Sequence, residues 1–436
     1  MKIGGPKQPL TLFLGDILLL ILSLWLTLFA RYGEAPTTEL FRQHLVPFSF
    51  IFILWLTIFF IFDLYRKSNS LLRRQLPSLL LRVQAINALV AIIFFYYVPI
   101  FGITPRTTLF IYLIISFLFI TVWHLLVRRE SSSTRRVNVV FMCEGPEVEE
   151  LKKELPFNPR YQVIIRSRQE LPGLTPDQSL MIVFNPYTPL KEEGQPLFYQ
   201  LLLKGVTFIN VHDLYEEVFD RVPVSILDEQ WLLEHISSRR NYAYDFFKRL
   251  LDIIIAVPLA LISLVIYPVV ILAIKLEDGG PVFITQERVG RGGKLIKIHK
   301  FRSMTGNDSG NYGENGSNLH VTKIGRLIRL TRVDELPQLW SVILGRLSLI
   351  GPRPELPSLV RHYEEVISYY NIRHLIKPGL SGWAQIYGEH AHHGTNVDQT
   401  KNKLSYDLFY IKNRQWWLDL SIALKTIRTI VSTKGI

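Results

Sequence analysis

The run Arg329-Leu330-Thr331-Arg332-Val333-Asp334-Glu335-Leu336-Pro337-Gln338-Leu339-Trp340 sets two adjacent carboxylates just before a proline. Proline fits only the first turn of a helix, so Asp334 and Glu335 belong at a helix start, where unpaired N–H groups favour negative charge. Leu336, Leu339, Trp340 and Ile343 would form the apolar face anchoring that helix. Alone, such a pair reads as a plain acidic cap. Its company gives it weight: Arg329, Arg332, Arg346 and Arg353 surround it, and Gly351-Pro352-Arg353-Pro354 follows closely. Upstream, a glycine-rich stretch from Gly279 through Gly290 and Gly293 leads into Ile298-His299-Lys300-Phe301-Arg302-Ser303-Met304. Glycine permits turns and close backbone approach, and neighbouring Lys or Arg can hold a diphosphate, Arg through a bidentate fork. A solvated basic hairpin would read the same way. His390, His392 and His393 suggest a metal, but no acidic or Cys partner lies in register.

The elements that must position these residues begin in a membrane. Four apolar runs, Leu10–Ala30, Leu45–Tyr65, Val83–Phe101 and Leu109–Val127, each suffice to cross a bilayer core of about 30 Å. The first lacks the small-residue cleavage site of a signal peptide and reads as a retained helix. Basic residues concentrate in the loops on one side (Lys2, Lys7, Arg66, Lys67, Arg73, Arg74, Arg82, Arg128, Arg129, Arg135, Arg136), against Arg31, Arg42 and Arg106 on the other. That side, with the N-terminus, is expected to be cytoplasmic. A fifth apolar stretch, Leu250–Ile274, would measure roughly 37 Å as a straight helix, long enough to span. Yet both its flanks are basic, and Pro258 and Pro268 favour a bend. A re-entrant helix that dips in and returns is the expectation, with an ordinary kinked spanning helix as the alternative. Lys248-Arg249-Leu250-Leu251-Asp252 marks where it enters; its cations would meet lipid phosphates or serve as ordinary positive flanks.

Composition agrees with a membrane protein. Of 436 residues, 48% are hydrophobic, and Lys and Arg exceed Asp and Glu by 49 to 37, a net charge of +12. The excess suits an anionic partner, while the apolar share argues against a free nucleic-acid binder. A single cysteine, Cys143, excludes a disulfide framework or Cys-rich metal site. Between the two membrane segments, strand patterns at Val137–Met142, Tyr161–Ile165, Leu180–Phe184 and Val206–Asn210 alternate with helical ones at Glu147–Leu155 and Gln195–Lys204, predicting a small parallel α/β domain. Cys143-Glu144-Gly145-Pro146 after the first strand is not a dinucleotide fingerprint, so a regulatory or oligomerisation role fits better. Trp416-Trp417 before the amphipathic segment Leu418–Val431 suits a membrane interface or packing on the preceding domain.

Taken together, K-R-x-x-D, G-P-V-F-x-x-Q-x-R-x-G, K-F-R-S-M, R-V-D-E-L-P-Q-L, S-L-I-G-P-R-P and K-P-G-x-x-G-W-A-Q resemble, in order, the bacterial sugar transferases, the polyprenyl-phosphate sugar-1-phosphate transferases. The resemblance covers roughly residues 242–436. It implies three parts: a four-helix transmembrane bundle (1–130), a Rossmann-like α/β module (136–239) and a monotopic, α-rich catalytic domain with a re-entrant helix (242–436). It also implies transfer of a sugar-1-phosphate from a nucleotide diphosphate sugar, a UDP-sugar by expectation, to polyprenyl phosphate on the cytoplasmic face of the bacterial inner membrane, initiating surface polysaccharide assembly. Asp334, ionised without a base at a reference pKa near 3.9, would attack the sugar-bearing phosphorus, and UMP would leave. A one-step transfer with Asp334 only binding metal is the open alternative. Mg²⁺ is implied, with Asp334 and Glu335 as ligands. Lys300, Arg302, Arg332 and Arg353 would hold phosphates, and Gln385 and Asp419 would contact substrate. Membrane lipids are expected partners, a homodimer is possible, and nucleic acid is not a partner. A membrane-anchored binding protein with a degenerate catalytic domain is the competing reading. Three departures from the family pattern stand out: Leu264-Val265 replaces the usual Ser-Pro bend, Gly345-Arg346 a glycine-acid pair, and Tyr387-Gly388-Glu389 the usual Asn-Gly-Arg.

Overall fold

The computed structural model describes residues 7–65, 70–97, 106–130, 137–157, 161–163, 180–187, 195–236, 241–305, 320–388 and 396–431. The chain divides into two compact units, Met1–Val218 and Phe219–Ile436.

Unit one opens with α1 (Lys7–Tyr32), α2 (Thr38–Ile61), α3 (Ser70–Tyr97) and α4 (Arg106–Glu130). All four are long and apolar enough to cross a membrane. Their shared core is aromatic: the Tyr112 ring lies 4.9 Å from Phe48 and 5.6 Å from Trp55. α1 and α4 approach closely because Gly15 leaves room for the Trp123 indole. Buried in the bundle, Asp16 accepts from the Tyr65 hydroxyl at 2.8 Å and meets His124 Nε2 at 3.0 Å. Pairing of this kind is what makes a carboxylate tolerable in apolar surroundings.

The α/β part follows as β1 (Val137–Phe141), α5 (Pro146–Glu154), β2 (Tyr161–Val163), β3 (Leu180–Phe184), α6 (Gln195–Leu203), β4 (Thr207–Asn210) and α7 (Val211–Phe219). The four strands form one parallel sheet in the order β2-β1-β3-β4, with Val139 opposite both Val163 and Met181. Val140, Leu180 and Ile182 are buried on one face and Val139, Met181 and Val183 on the other, as a sheet covered on both faces requires. Burial pushes the half-buried Cys143 thiol up to about 11, away from the reactive thiolate.

In unit two, residues 219–236 precede the long helix. The sequence pattern assigns them to the α/β part, but their contacts lie here: Val222 N–H donates to Ser405 O at 3.0 Å, and Trp383 Nε1 to Asp220 O at 2.9 Å. They include α8 (Glu229–His235), capped by Asp228 accepting from Trp231 N. Next comes α9 (Tyr242–Asp278), a continuous helix of 37 residues running through Pro258 and Pro268, capped by Asn241 at its start and by left-handed Gly279 at its end. Asp252, Ala256, Ala260, Ser263, Val270 and Ile274 form its buried stripe. Leu261, Val265, Val269, Leu272 and Leu276, off that stripe, are exposed.

The hairpin β5 (Phe283–Val289) and β6 (Leu295–Phe301) pairs Ile284 with Lys300. Its turn needs positive φ at Gly292 and Gly293. Then follow β7 (Met304–Thr305), β8 (His320–Val321), α10 (Lys323–Leu330), a 3-10 turn (Val333–Glu335), α11 (Gln338–Ile343), β9 (Ser348–Ile350), α12 (Pro357–Val366), a 3-10 turn (Tyr370–Leu375), β10 (Gly379–Ser381), α13 (Trp383–Tyr387), α14 (Val397–Lys412) and α15 (Trp416–Val431). β9 and β10 are parallel, with Ser348 opposite Gly379. A Cβ on Gly379 would strike the Gly351 backbone, which is why two glycine-proline motifs meet there. α15 packs on the domain, the second of its two expected options. Leu418, Ile422 and Lys425 are buried on the domain, and Trp416 and Trp417 stand exposed.

Candidate active site

The acidic pair owes its position to two backbone events. Arg332 adopts a left-handed conformation (φ 55°), which turns the chain off the end of α10. Glu335 N–H then donates to Arg332 O and Leu336 N–H to Val333 O, both at 3.2 Å. These i→i+3 bonds make a 3-10 turn, and Pro337, which has no N–H, becomes the N-cap of α11. Asp334 and Glu335 therefore sit one turn ahead of the helix rather than inside its first turn. Leu339 and Val342 seat α11 against Ala256, Ala260 and Ile298, with Leu336 and Ile343 at the edge of that core. Trp340, expected on the anchoring face, is instead 38% exposed.

The two carboxylates live in different fields. Glu335 accepts from Arg353 Nη2 at 2.8 Å, with Arg332 at 3.6 Å and Lys300 at 4.0 Å. Burial alone would raise its pKa, but Arg353, Lys300 and Arg332 outweigh it and hold the carboxyl at about 2. Asp334 has no hydrogen bond or ion pair among the described residues. Burial, then the neighbouring Glu335 charge, push it up to about 6 against the pull of Lys300, Arg329 and Arg353. It is mostly ionised at neutral pH, with a smaller margin than an exposed aspartate has. Burial lowers Lys300 to about 8, opposed by Glu335 and aided by Arg353 and Arg288. Glu335 in turn raises the Arg353 pKa. The result is one saturated carboxylate that organises cations and one unengaged carboxylate beside them. That is the arrangement a nucleophile facing an anionic substrate requires.

A second network braces it. Arg373, 3% exposed, donates to the Arg353 carbonyl at 3.0 Å and pairs with Asp407 at 2.8 Å and Glu355 at 3.7 Å. Lys403 lies 3.5 Å from Glu355, whose backbone carbonyl accepts from Val289 N at 2.9 Å.

The model of the family described as bacterial sugar transferase matches residues 243–433. An uncharacterized sugar transferase from Bacillus subtilis is 39% identical over 189 residues, covering 43% of this chain and 89% of that protein. The chain belongs to the bacterial sugar transferase family. A UDP-N-acetylgalactosamine-undecaprenyl-phosphate N-acetylgalactosaminephosphotransferase from Aeromonas hydrophila is 38% identical over 253 residues, 56% of this chain and 57% of that one. A UDP-glucose:undecaprenyl-phosphate glucose-1-phosphate transferase from Klebsiella pneumoniae is 40% identical over 186 residues, 42% of this chain and 39% of that one. The chain spans about half the length of the curated relatives it matches.

The family's motif residues do not all converge on the acids. Lys300, Arg332 and Arg353 do. Arg302 instead pairs with Asp278 at the end of α9. Gln385 donates to Leu380 O at 3.1 Å, fixing the turn after β10. Asp419 accepts from Tyr244 and Tyr410 hydroxyls, both at 2.7 Å, and from Lys248 at 2.8 Å. Arg249 donates to the Val342 and Ile343 carbonyls at 2.7 and 2.8 Å, satisfying the end of α11. Asp252 accepts from Ser348 Oγ at 2.8 Å and Leu349 N at 3.1 Å. K-R-x-x-D thus fastens α9 to α11, α15 and β9. Arg346 is exposed and bonds neither acid. Glu389, His390, His392 and His393 lie outside the described residues.

Sequence reasoning passed over Arg373, Asp407 and Glu355. Only Glu355 carried a signal, its place directly after Gly-Pro-Arg-Pro. Arg329, noted only as a neighbour, also acts on Asp334.

Proposed function

We propose that this chain transfers a sugar-1-phosphate from a UDP-sugar to polyprenyl phosphate, with Asp334 as nucleophile. The observation that carries the reading is the split between the adjacent acids: Glu335 locked among three cations, Asp334 unengaged. An Asp334 oxygen forms a bond to the sugar-bearing phosphorus, and the bond from that phosphorus to the bridging oxygen breaks, releasing UMP. An oxygen of polyprenyl phosphate then attacks the same phosphorus. The Asp334–phosphorus bond breaks, leaving a polyprenyl diphosphate sugar and a regenerated carboxylate. Lys300, Arg332 and Arg353 offset the repulsion between approaching anions. The names of the relatives supply the substrate classes.

Asp334, the unengaged acid, would offer a hard oxygen donor to Mg²⁺, whereas the Glu335 oxygens, also expected as ligands, are already held by Arg353, Arg332 and Lys300. Mg²⁺ is held elsewhere by one or two carboxylates, keeping waters and drawing further ligands from substrate phosphates, so a single protein oxygen would suffice here. When bound, the ion supplies charge neutralisation at the diphosphate.

In this reading α9 is re-entrant and unit two monotopic. Both ends of α9 make polar contacts within the same unit: Lys248 with Asp419 at 2.8 Å near its start, and Glu277 accepting from Lys323 N at 2.6 Å near its end. A straight crossing of about 55 Å would separate those partners by a bilayer. Pro258 and Pro268 are the proposed bend. The basic loops favour a catalytic unit on the cytoplasmic face of the inner membrane, where it would start surface polysaccharide assembly. The all-parallel order β2-β1-β3-β4 favours a doubly wound α/β part, in the 2-1-3-4 order rather than the 3-2-1-4 order of a Rossmann sheet.

The test is a panel of UDP-sugars with polyprenyl phosphate and detergent-solubilised protein, read by UMP release. Acceptor-dependent release from at least one sugar is expected. No release from any, with folded protein, overturns the assignment.

A further inference from the structure

Unit two contains a cavity of 640 Å³ lined by α8, the first turns of α9, Arg291 and Lys377, and the end of α14. Neither acid of the pair lines it, nor do Lys300, Arg332 and Arg353. Its charged lining sets Lys248, Arg249, Arg291, Lys377 and Arg414 against Glu229, Asp245 and Asp252. Much of this is already committed. Lys248 serves Asp419, Arg249 serves two carbonyls, and Arg414 pairs with Asp245 at 3.3 Å. Arg291 and Lys377 make no side-chain hydrogen bond or ion pair among the described residues.

These cations crowd one another. Arg249 Nη2 and Lys377 Nζ lie 3.4 and 3.8 Å from the point a Cβ on Gly345 would occupy. Burial, then repulsion from Arg249 and Arg291, lowers the Lys377 pKa despite Asp252 and Asp245. Clustered cations with unspent donors are relieved by an anion. The remaining lining is apolar, including Leu232, Ile236, Ile350, Ile372, Ile376 and Ile411. Leu233 and Leu375 line the cavity yet are 67% and 52% exposed. The same turns of α9 carry exposed Phe246, Phe247, Leu250 and Leu251. A free phosphate would leave that apolar wall wet; a phosphate on an apolar chain would cover it.

We propose that this cavity binds the phosphate headgroup of an anionic membrane lipid, with Arg291 and Lys377 as donors and the lipid chain on the apolar wall. Neither acid of the pair lines the site, and the proposal does not depend on the transferase reading.

The experiment uses the full chain in a mild non-ionic detergent and three probes: dioctanoyl phosphatidic acid, dioctanoyl phosphatidylcholine and inorganic phosphate, with binding read by thermophoresis. Saturable binding of phosphatidic acid is expected. Combined Arg291→Gln and Lys377→Gln should weaken it about tenfold or more, the scale of two lost charge-assisted bonds. Lys377→Arg, which keeps the charge, should retain binding and controls for folding, and Lys300→Gln should leave binding unchanged. Equal affinity for inorganic phosphate or for phosphatidylcholine overturns the proposal, as does an equal loss in Lys300→Gln.

Discussion

Replacing Glu335 with glutamine tests the electrostatic split directly. In the native protein the Glu335 charge raises Asp334, while Glu335 itself absorbs Arg353, Lys300 and Arg332. A neutral amide in its place would remove the repulsion and release those cations towards Asp334. An unopposed cation at this range lowers a carboxyl by roughly 1–3 pH units, so the Asp334 pKa of about 6 should fall by at least about one. The assay is kcat/KM for UMP release against pH, whose acid limb reports the free enzyme. The limb should move to lower pH even if amplitude also drops. A limb that stays near 6 or rises would refute the reasoning. The same substitution has a stability signature. Glu335 is held at about 2 against an ordinary 4.5 and is 17% exposed, worth about 3 kcal/mol. Because the folded value is depressed, this contribution is present above the unfolded pKa and is lost as pH falls from 4.5 towards 2. Thermal unfolding at neutral pH should therefore show the variant destabilised by about that amount, and the difference should shrink in acid.

Three further outcomes follow from the same geometry. Lys300, lowered to about 8, should set an alkaline limb in kcat/KM, and Lys300→Arg should abolish that limb because guanidinium stays charged. Arg373→Ala should cost about 3–5 kcal/mol by stranding Asp407 and leaving Glu355 to Lys403, and should lower kcat/KM through a slackened Arg353, measured by denaturation and by UMP release. His124→Ala should destabilise the helical bundle by about 1–3 kcal/mol through the loss of an Asp16 partner, read by thermal unfolding in detergent.

Much of this was legible from sequence because the signals were local. Four long apolar runs have no alternative but membrane-length helices, and short apolar strands alternating with helices dictate a parallel sheet. Asp334 and Glu335 declared themselves by adjacency and by Pro337. The exact turn did not, because the left-handed Arg332 that creates it follows from packing, not from residue preference. Cation assignment was harder. Lys300 and Arg302 are equivalent on paper, yet one faces Glu335 and the other reaches back to Asp278. Lys248 and Arg249 read as contacts to lipid phosphates or as ordinary positive flanks, with Asp252 at the membrane entry; the partners that the three find come from α15, α11 and β9, far along the chain. Arg373 and Asp407 gave no signal, since a buried ion pair is visible only once the chain is folded.

The measurement that bears most directly on the account is intact-protein mass spectrometry after incubation with the active UDP-sugar and Mg²⁺, without polyprenyl phosphate. The account predicts one sugar-phosphate added, located by peptide mapping to Asp334 and absent from a folded Asp334→Asn variant that releases no UMP. Turnover with acceptor but no adduct under any quench, or UMP release by Asp334→Asn at the native rate, would contradict it.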